Sequence, residues 1–148
     1  MDKYRVALLT EPLKIRITEK QTPPLKPYQA RMNVLFAGVC GTDIAIFNGE
    51  YKVPLPIVLG HEFVGVVAEV GDPEFSYLEG KTAVAEINNT CLVCNRAVLC
   101  PACERGLPNH CLERTVLGII EADGTFAEQV IVPIKNIHPL PPGFSPTE

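Results

Sequence analysis

The stretch that decides the fold lies near the middle of the chain, where residues 59–71 read LGHEFVGVVAEVG. Residues 63–70 are largely apolar and rich in valine, and the run is too short for a stable isolated helix, so it predicts a buried strand. His61 and Glu62 stand immediately before this strand. The segment therefore predicts a β core with an imidazole and a carboxylate at the end of one strand.

Further strand patterns flank this segment on both sides. Residues 13–18 alternate between apolar and polar side chains at the period of a half-buried strand, and strands are also predicted over 4–9, 30–39 and 82–87. Residues 116–120 and 126–132 flank Asp123-Gly124, a dipeptide typical of a hairpin turn. One or two helical turns are predicted from Thr42, a candidate N-cap, to Gly49. The predicted fold is mainly β, an irregular antiparallel barrel with short helices and a cysteine-rich lobe.

Length and composition exclude several classes of protein. The chain has 148 residues, the size of one domain, with 47% hydrophobic and 20% charged residues, which argues against disordered, collagen-like and coiled-coil proteins. A net charge of −4, with scattered Lys and Arg, gives no footprint for nucleic acid or acidic membranes. No apolar run approaches the ~18 residues of a membrane span, and the first residues lack the apolar stretch of a signal peptide. We therefore expect a cytoplasmic protein that binds neither nucleic acid nor membranes.

Five of the six cysteines lie between Cys91 and Cys111, as two C-x2-C pairs followed by a fifth thiol. This crowding favours metal over disulfides, because five thiols cannot all pair with one another and the expected compartment is reducing. Four thiolates suit one tetrahedral zinc ion in a closed, structural site. A nucleic-acid zinc ribbon does not fit, since its pairs are separated by roughly 15–20 residues, whereas residues 95–99 alone separate them here. The spacing leaves one cysteine spare without indicating which.

Cys40, His61 and Glu62 form a second candidate group, with thiolate, imidazole and carboxylate ligands at two strand ends. Taken alone, the group is a weak signal, because buried cysteines and hydrogen-bonded loop histidines are common. Its interpretation as a metal site depends on the motifs around it.

Those motifs resemble the zinc-containing medium-chain alcohol dehydrogenases and their polyol, sugar and threonine dehydrogenase relatives. The matching segments are GVCGTD at 38–43, LGHEFVGVV at 59–67 with Val70-Gly71, the cysteine lobe ending at Cys111, and GTFAE at 124–128. The resemblance implies that residues 1–148 form a catalytic domain with a chaperonin-10 (GroES-like) barrel fold and a structural-zinc lobe at 88–114. It also implies a Rossmann domain after residue 148 that binds NAD or NADP.

The resemblance also implies roles for individual residues. Cys40 and His61 are implied to be catalytic zinc ligands, and Glu62 is implied to be a neighbouring carboxylate that can approach the ion. Thr42 resembles the hydroxyl that relays the substrate's proton, and Gly41 the glycine that lets a cofactor phosphate approach the backbone. A further zinc ligand would lie beyond residue 148.

Two departures from the family pattern stand out. Ala45 occupies the position where many members have a histidine that extends the proton relay. In the lobe, three extra residues disturb the usual spacing, and sets containing Cys91 are only slightly less favoured than the preferred ligand set, which is Cys94, Cys100, Cys103 and Cys111.

The sequence therefore predicts the catalytic domain of a zinc- and NAD(P)-dependent dehydrogenase that oxidises an alcohol, polyol or sugar hydroxyl, inactive as a fragment and homo-oligomeric at full length. The alternative is a stand-alone zinc-stabilised, chaperonin-10-like binding or assembly module. Ser145-Pro146-Thr147-Glu148 has the form of a capping box at the start of a helix, which favours a longer protein over a frayed tail.

Overall fold

The computed structural model describes residues 3–144, which are mainly β. The strands are β1 (Lys3–Glu11), β2 (Lys14–Gln21), β3 (Gln29–Gly38), β4 (Ile57–Val58), β5 (Glu62–Val70), β6 (Thr82–Ala85), β7 (Asn88–Asn89), β8 (Thr115–Leu117), β9 (Glu121–Ala122), β10 (Gln129–Pro133) and β11 (Ile137–Pro139). The α-helices are α1 (Gly41–Asn48) and α2 (Pro101–Glu104), and short 3-10 helices span Pro73–Leu78, Pro108–His110 and Ile134–Asn136.

These strands form three sheets, in the orders β2-β1-β4, β10-β3-β5-β6-β11 and β7-β8-β9. Neighbouring strands are antiparallel except β8 and β9, which are parallel. The first two sheets meet where Val6 bridges Ala127 and the Ala7 N–H donates to the Phe126 carbonyl at 2.8 Å. The mainly β fold is thus confirmed, although the strands of residues 3–144 lie in three sheets rather than in one closed barrel.

The strand predicted from residues 63–70 is confirmed as β5, the central strand of the five-stranded sheet. Val67 on this strand is 1% exposed, and it packs in the main core with Met32 and Leu117. A Cβ at Gly65 would lie 2.6 Å from the Asn33 carbonyl oxygen. Glycine at this position therefore allows β3 to approach β5 closely.

β2 is also confirmed as a strand, but its predicted half-burial is wrong. Leu13, Ile15 and Ile17 are 65%, 43% and 72% exposed. β2 is an edge strand paired only with β1 among the described elements. Alternation defines the two faces of a strand, but whether a second layer covers one of them depends on the rest of the fold.

The hairpin predicted at Asp123-Gly124 is wrong, because β10 pairs with β3 and β9 pairs with β8. The Gly124 N–H donates to the Val58 carbonyl at 2.7 Å, and a Cβ at Gly124 would lie 2.1 Å from the Gly60 carbonyl oxygen. The dipeptide therefore packs a loop against the segment that precedes His61.

The predicted capping box at Ser145 to Glu148 lies outside the described residues. Within residues 3–144, the helices are all too short and insufficiently apolar to span a membrane.

Candidate metal centres

The pairing of β3 with β5 brings two predicted site residues to one end of a sheet. Gly38, the last residue of β3, pairs with Glu62, the first residue of antiparallel β5. Cys40 follows β3 and His61 precedes β5, so both lie beyond the same end of the strand pair. Cys40 Sγ and His61 Nε2 are 3.1 Å apart.

Cys40 is also the N-cap of α1. Its backbone is extended, and its Sγ accepts a hydrogen bond from the Thr42 backbone N–H at 3.2 Å. The N-cap predicted at Thr42 is therefore wrong, because the thiol of Cys40 takes the capping role two residues earlier. Gly49 ends the helix in a left-handed conformation with φ 80°, as predicted.

Asp43, for which the sequence predicted no role, links the two segments that carry Cys40 and His61. Its carboxylate accepts hydrogen bonds from the backbone N–H of Cys40 at 3.0 Å and of Gly60 at 3.1 Å. The same carboxylate lies 3.6 Å from His61 Nδ1, which is buried without a hydrogen-bond partner. The signal in the sequence was an acidic residue three positions after the N-cap, where it can close a capping box.

The Cys40 group fits a zinc ion in chemistry and in spacing. Ligands at ~2.3 Å (sulfur) and ~2.05 Å (nitrogen) from a tetrahedral zinc ion lie about 3.6 Å apart, close to the 3.1 Å between Cys40 Sγ and His61 Nε2. Potential ligand atoms of Cys40, His61 and the exposed Glu62 all lie within 4.8 Å of one another. A Cβ at Gly38 would lie 3.0 Å from Glu62 Oε2, so glycine at this position avoids a close contact with the Glu62 carboxylate.

The other predicted site residues lie on α1 beside this group. Thr42 is partly buried, and Ala45 lies one helical turn after it. Gly41 is exposed, and apart from its chain neighbours and the backbone of its own helix, no atom of the described residues lies within 4 Å of the position that a Cβ would take. The described residues thus leave open space at Gly41, where the resemblance implied approach of a cofactor phosphate.

The lobe brings together four buried thiols, which are those of Cys91, Cys100, Cys103 and Cys111. Cys111 Sγ lies 3.5 Å from Cys91 Sγ and 3.8 Å from Cys100 Sγ. Two thiolates on one tetrahedral zinc ion lie about 3.8 Å apart, from Zn–S bonds of ~2.3 Å. The sulfur–sulfur distances in the four-thiol group therefore match those of a closed zinc shell.

The pKa values of these thiols are shifted in opposite directions by their surroundings. Backbone N–H groups of Cys103 and Leu112 point at the Cys100 sulfur and lower its pKa to about 6. Burial and the neighbouring thiols raise the pKa of Cys103 to about 12. One thiol thus ionises readily, whereas the other needs a nearby cation to become the thiolate that binds metal.

The preferred ligand set with Cys94 differs from this arrangement, because the structure places Cys91 with the other three thiols and leaves Cys94 outside the group. Cys91 is fully buried, whereas Cys94 is partly buried and lines a cavity of about 710 Å³. Spacing alone could not distinguish the two, since the preceding turn decides which sulfur points inward.

Residues 26–142 match the family described as the alcohol dehydrogenase GroES-like domain. Among curated proteins, the chain is similar to sorbitol dehydrogenase of Halalkalibacterium halodurans, with 35% identity over 127 residues, which cover 86% of this chain and 35% of that protein. The chain thus spans about a third of the length of this curated relative.

Solved structures give the same comparison at the level of the fold. A zinc-binding dehydrogenase from Sinorhizobium meliloti bound to NADP superposes with a TM-score of 0.82 and 31% identity, covering 99% of this chain and 41% of that chain. RspB from Escherichia coli, an alcohol dehydrogenase complexed with NADH, superposes with a TM-score of 0.84 and 33% identity, covering 97% of this chain and 40% of that chain.

Proposed function

Since the chain belongs to the alcohol dehydrogenase GroES-like domain family, we propose that it is the catalytic part of a zinc- and NAD(P)-dependent dehydrogenase acting on an alcohol, polyol or sugar hydroxyl. Because it spans about a third of its curated relative, the proposal includes a Rossmann domain and a further zinc ligand contributed by residues after 148. It places the enzyme in the reducing cytoplasm, where its six unpaired cysteines stay available to metal.

The observation that carries this proposal is the Cys40–His61 pair with Asp43 behind it. Zinc would supply a Lewis acid at this pair, and the nicotinamide cofactor would supply the hydride acceptor. Cys40 and His61 would hold the ion, while Asp43 fixes the backbone of both segments through its two hydrogen bonds. A stand-alone assembly module has no use for a second ligand set beside the four-thiol lobe, so this pair favours the enzyme.

In this proposal, the hydroxyl of Thr42 takes up the substrate's proton. Its backbone N–H is bound to Cys40 Sγ at 3.2 Å, which places the residue directly beside the ligand pair. With Ala45 one turn further along α1, no imidazole follows Thr42 in the relay. The relay from Thr42 would therefore end in water, a cofactor hydroxyl or another group.

The test is oxidation of a panel of alcohols, polyols, sugars and L-threonine by the full-length protein with NAD or NADP. We expect zinc-dependent formation of reduced cofactor with at least one substrate. His61→Ala should lower kcat/KM at least about 100-fold, because several kcal/mol of transition-state stabilisation depend on the ion. His138→Ala, which changes an exposed histidine on β11, is the matched control and should retain activity. Zinc-dependent turnover that survives His61→Ala would contradict the assignment.

A further inference from the structure

We propose that Cys94 is a reserve ligand of the four-thiol lobe, which replaces Cys91 in the zinc shell when the Cys91 thiolate is lost. The inference rests on the proposed function in one respect, namely that the lobe binds zinc. It concerns the fifth thiol of the lobe, which belongs neither to the four-thiol group nor to the Cys40–His61 pair.

The backbone puts Cys91 and Cys94 on one side of a helical turn. The Cys94 N–H donates to the Thr90 carbonyl at 3.1 Å, an i to i−4 bond, and the Asn95 N–H donates to the Leu92 carbonyl at 3.4 Å. On a helical turn, side chains three residues apart are neighbours, with Cβ atoms about 5–6 Å apart. Cys91 and Cys94 therefore lie on the same side of this turn, with Cys91 inside the four-thiol group and Cys94 outside it.

The electrostatics of Cys94 agree with this placement. Burial raises the pKa of the Cys94 thiol, and the charges of Cys91 and Cys111 raise it further against the opposing effects of Arg96 and Lys26.

The surroundings leave Cys94 room to move toward the group. Its side chain lines the cavity of about 710 Å³ rather than a close-packed core. The segment 95–99 that leads to Cys100 is largely exposed, and Val98 is 80% exposed. Six residue steps reach up to about 20 Å when extended, so this tether is long enough to let either cysteine of the turn bind the ion that Cys100 binds.

Cys103 lacks such a substitute. It lies on α2, where its neighbour three residues earlier, Cys100, already belongs to the group. When Cys103 is lost, Cys91 still occupies the position in the shell that Cys94 would take, whereas loss of Cys91 leaves that position open to Cys94. This difference makes Cys103→Ser the matched control for Cys91→Ser.

The experiment measures metal binding by the 148-residue chain in a Cys40→Ala background, which removes the thiol of the other group. Zinc affinity is measured by chelator competition, and the number of thiolates is read from the thiolate-to-cobalt charge-transfer band. We expect the parent and Cys94→Ser to hold one metal ion on four thiolates. Cys91→Ser should hold it within about tenfold of the parent's affinity, again on four thiolates. Cys103→Ser and Cys91→Ser/Cys94→Ser should bind at least tenfold more weakly than Cys91→Ser.

Binding by Cys91→Ser that is as weak as that of the double variant, or a cobalt spectrum with three thiolates, would overturn the reserve role while leaving the zinc lobe intact. A parent chain that binds no metal in the lobe would overturn both this role and the zinc site predicted for the lobe, while leaving the proposed zinc at the Cys40–His61 pair to its own test. The two failures are therefore distinguishable.

If Cys91→Ser does not fold, the release of zinc to excess chelator decides the question in variants that keep all four buried thiols. A reserve thiolate recaptures an ion that is leaving its shell, so Cys94→Ser should release zinc several-fold faster than the parent. Leu92→Ser, an exposed change on the same turn, should release it at the parent's rate. Equal release rates in Cys94→Ser and the parent would overturn the proposal.

Discussion

At Asp43, one buried carboxylate connects the backbone of Cys40 with that of Gly60, which precedes His61. Its side chain is 2% exposed, so these two hydrogen bonds form away from water. Removing an acceptor from a buried N–H costs about 1–3 kcal/mol. Losing these hydrogen bonds would therefore destabilise the two segments that hold Cys40 Sγ and His61 Nε2 close together.

Asp43→Asn should therefore weaken zinc binding by the Cys40–His61 pair about 10- to 100-fold, the usual effect of losing a group that orients metal ligands. An amide keeps one acceptor oxygen, so one of the two N–H groups loses its partner. Zinc affinity is measured by chelator competition, with metal in the four-thiol lobe as the internal reference. Asp72→Asn, which changes a capping carboxylate bonded to the Glu74 N–H, should leave both affinities unchanged. Unaltered affinity in Asp43→Asn would show that the carboxylate does not position the pair.

At the scale of elements, local signals predicted the identity of the strands but not their partners. The valine-rich run became β5, and Gly49 ended α1 in the left-handed conformation, because both depend on neighbours in sequence. The exposure of β2 and the pairing of β10 with β3 depend on residues far along the chain. Spacing likewise could not predict whether Cys91 or Cys94 joins the four-thiol group. Both cysteines precede Cys100 by few residues, and the conformation of the helical turn that holds them determines which sulfur lies in the group.

A substitution at Gly124 tests whether close packing between segments far apart in sequence stabilises the fold. A Cβ there would lie 2.1 Å from the Gly60 carbonyl oxygen and 2.5 Å from that of Leu59, and backbone atoms cannot move aside as a flexible side chain can. Gly124→Ala should lower the free energy of unfolding by at least about 1–3 kcal/mol, the usual cost of overpacking. Urea denaturation measures this change. Gly41→Ala, where a Cβ meets nothing within 4 Å, should leave stability unchanged or slightly higher. Equal stabilities of the two variants would refute the packing role of Gly124.

At the scale of the whole molecule, the first sheet is joined to the second by a contact between residues far apart in sequence. The Arg5 N–H and Nε donate to the Glu128 carboxylate at 2.8 Å each, and the Glu128 N–H donates to the Arg5 carbonyl at 3.0 Å. These bonds lie beside the bridge between Val6 and Ala127. The Glu128 side chain of the GTFAE segment thus acts on the assembly of the sheets.

This contact predicts a specific dependence of stability on pH. Hydrogen bonds from Arg5 lower the pKa of Glu128 below its usual 4.5. Because the carboxylate binds its proton more weakly in the folded than in the unfolded chain, its contribution to stability is complete above pH 4.5 and disappears as the pH falls through the lower, folded value. Glu128→Gln should therefore be less stable than the parent at pH 7, and the difference should shrink on acidification, as measured by urea denaturation between pH 7 and pH 3 at constant zinc. Glu19→Gln, which removes a single exposed ion pair with Lys3, should change stability little at any pH. A stability difference for Glu128→Gln that stays constant over this range would show that the ionised contact does not join the sheets.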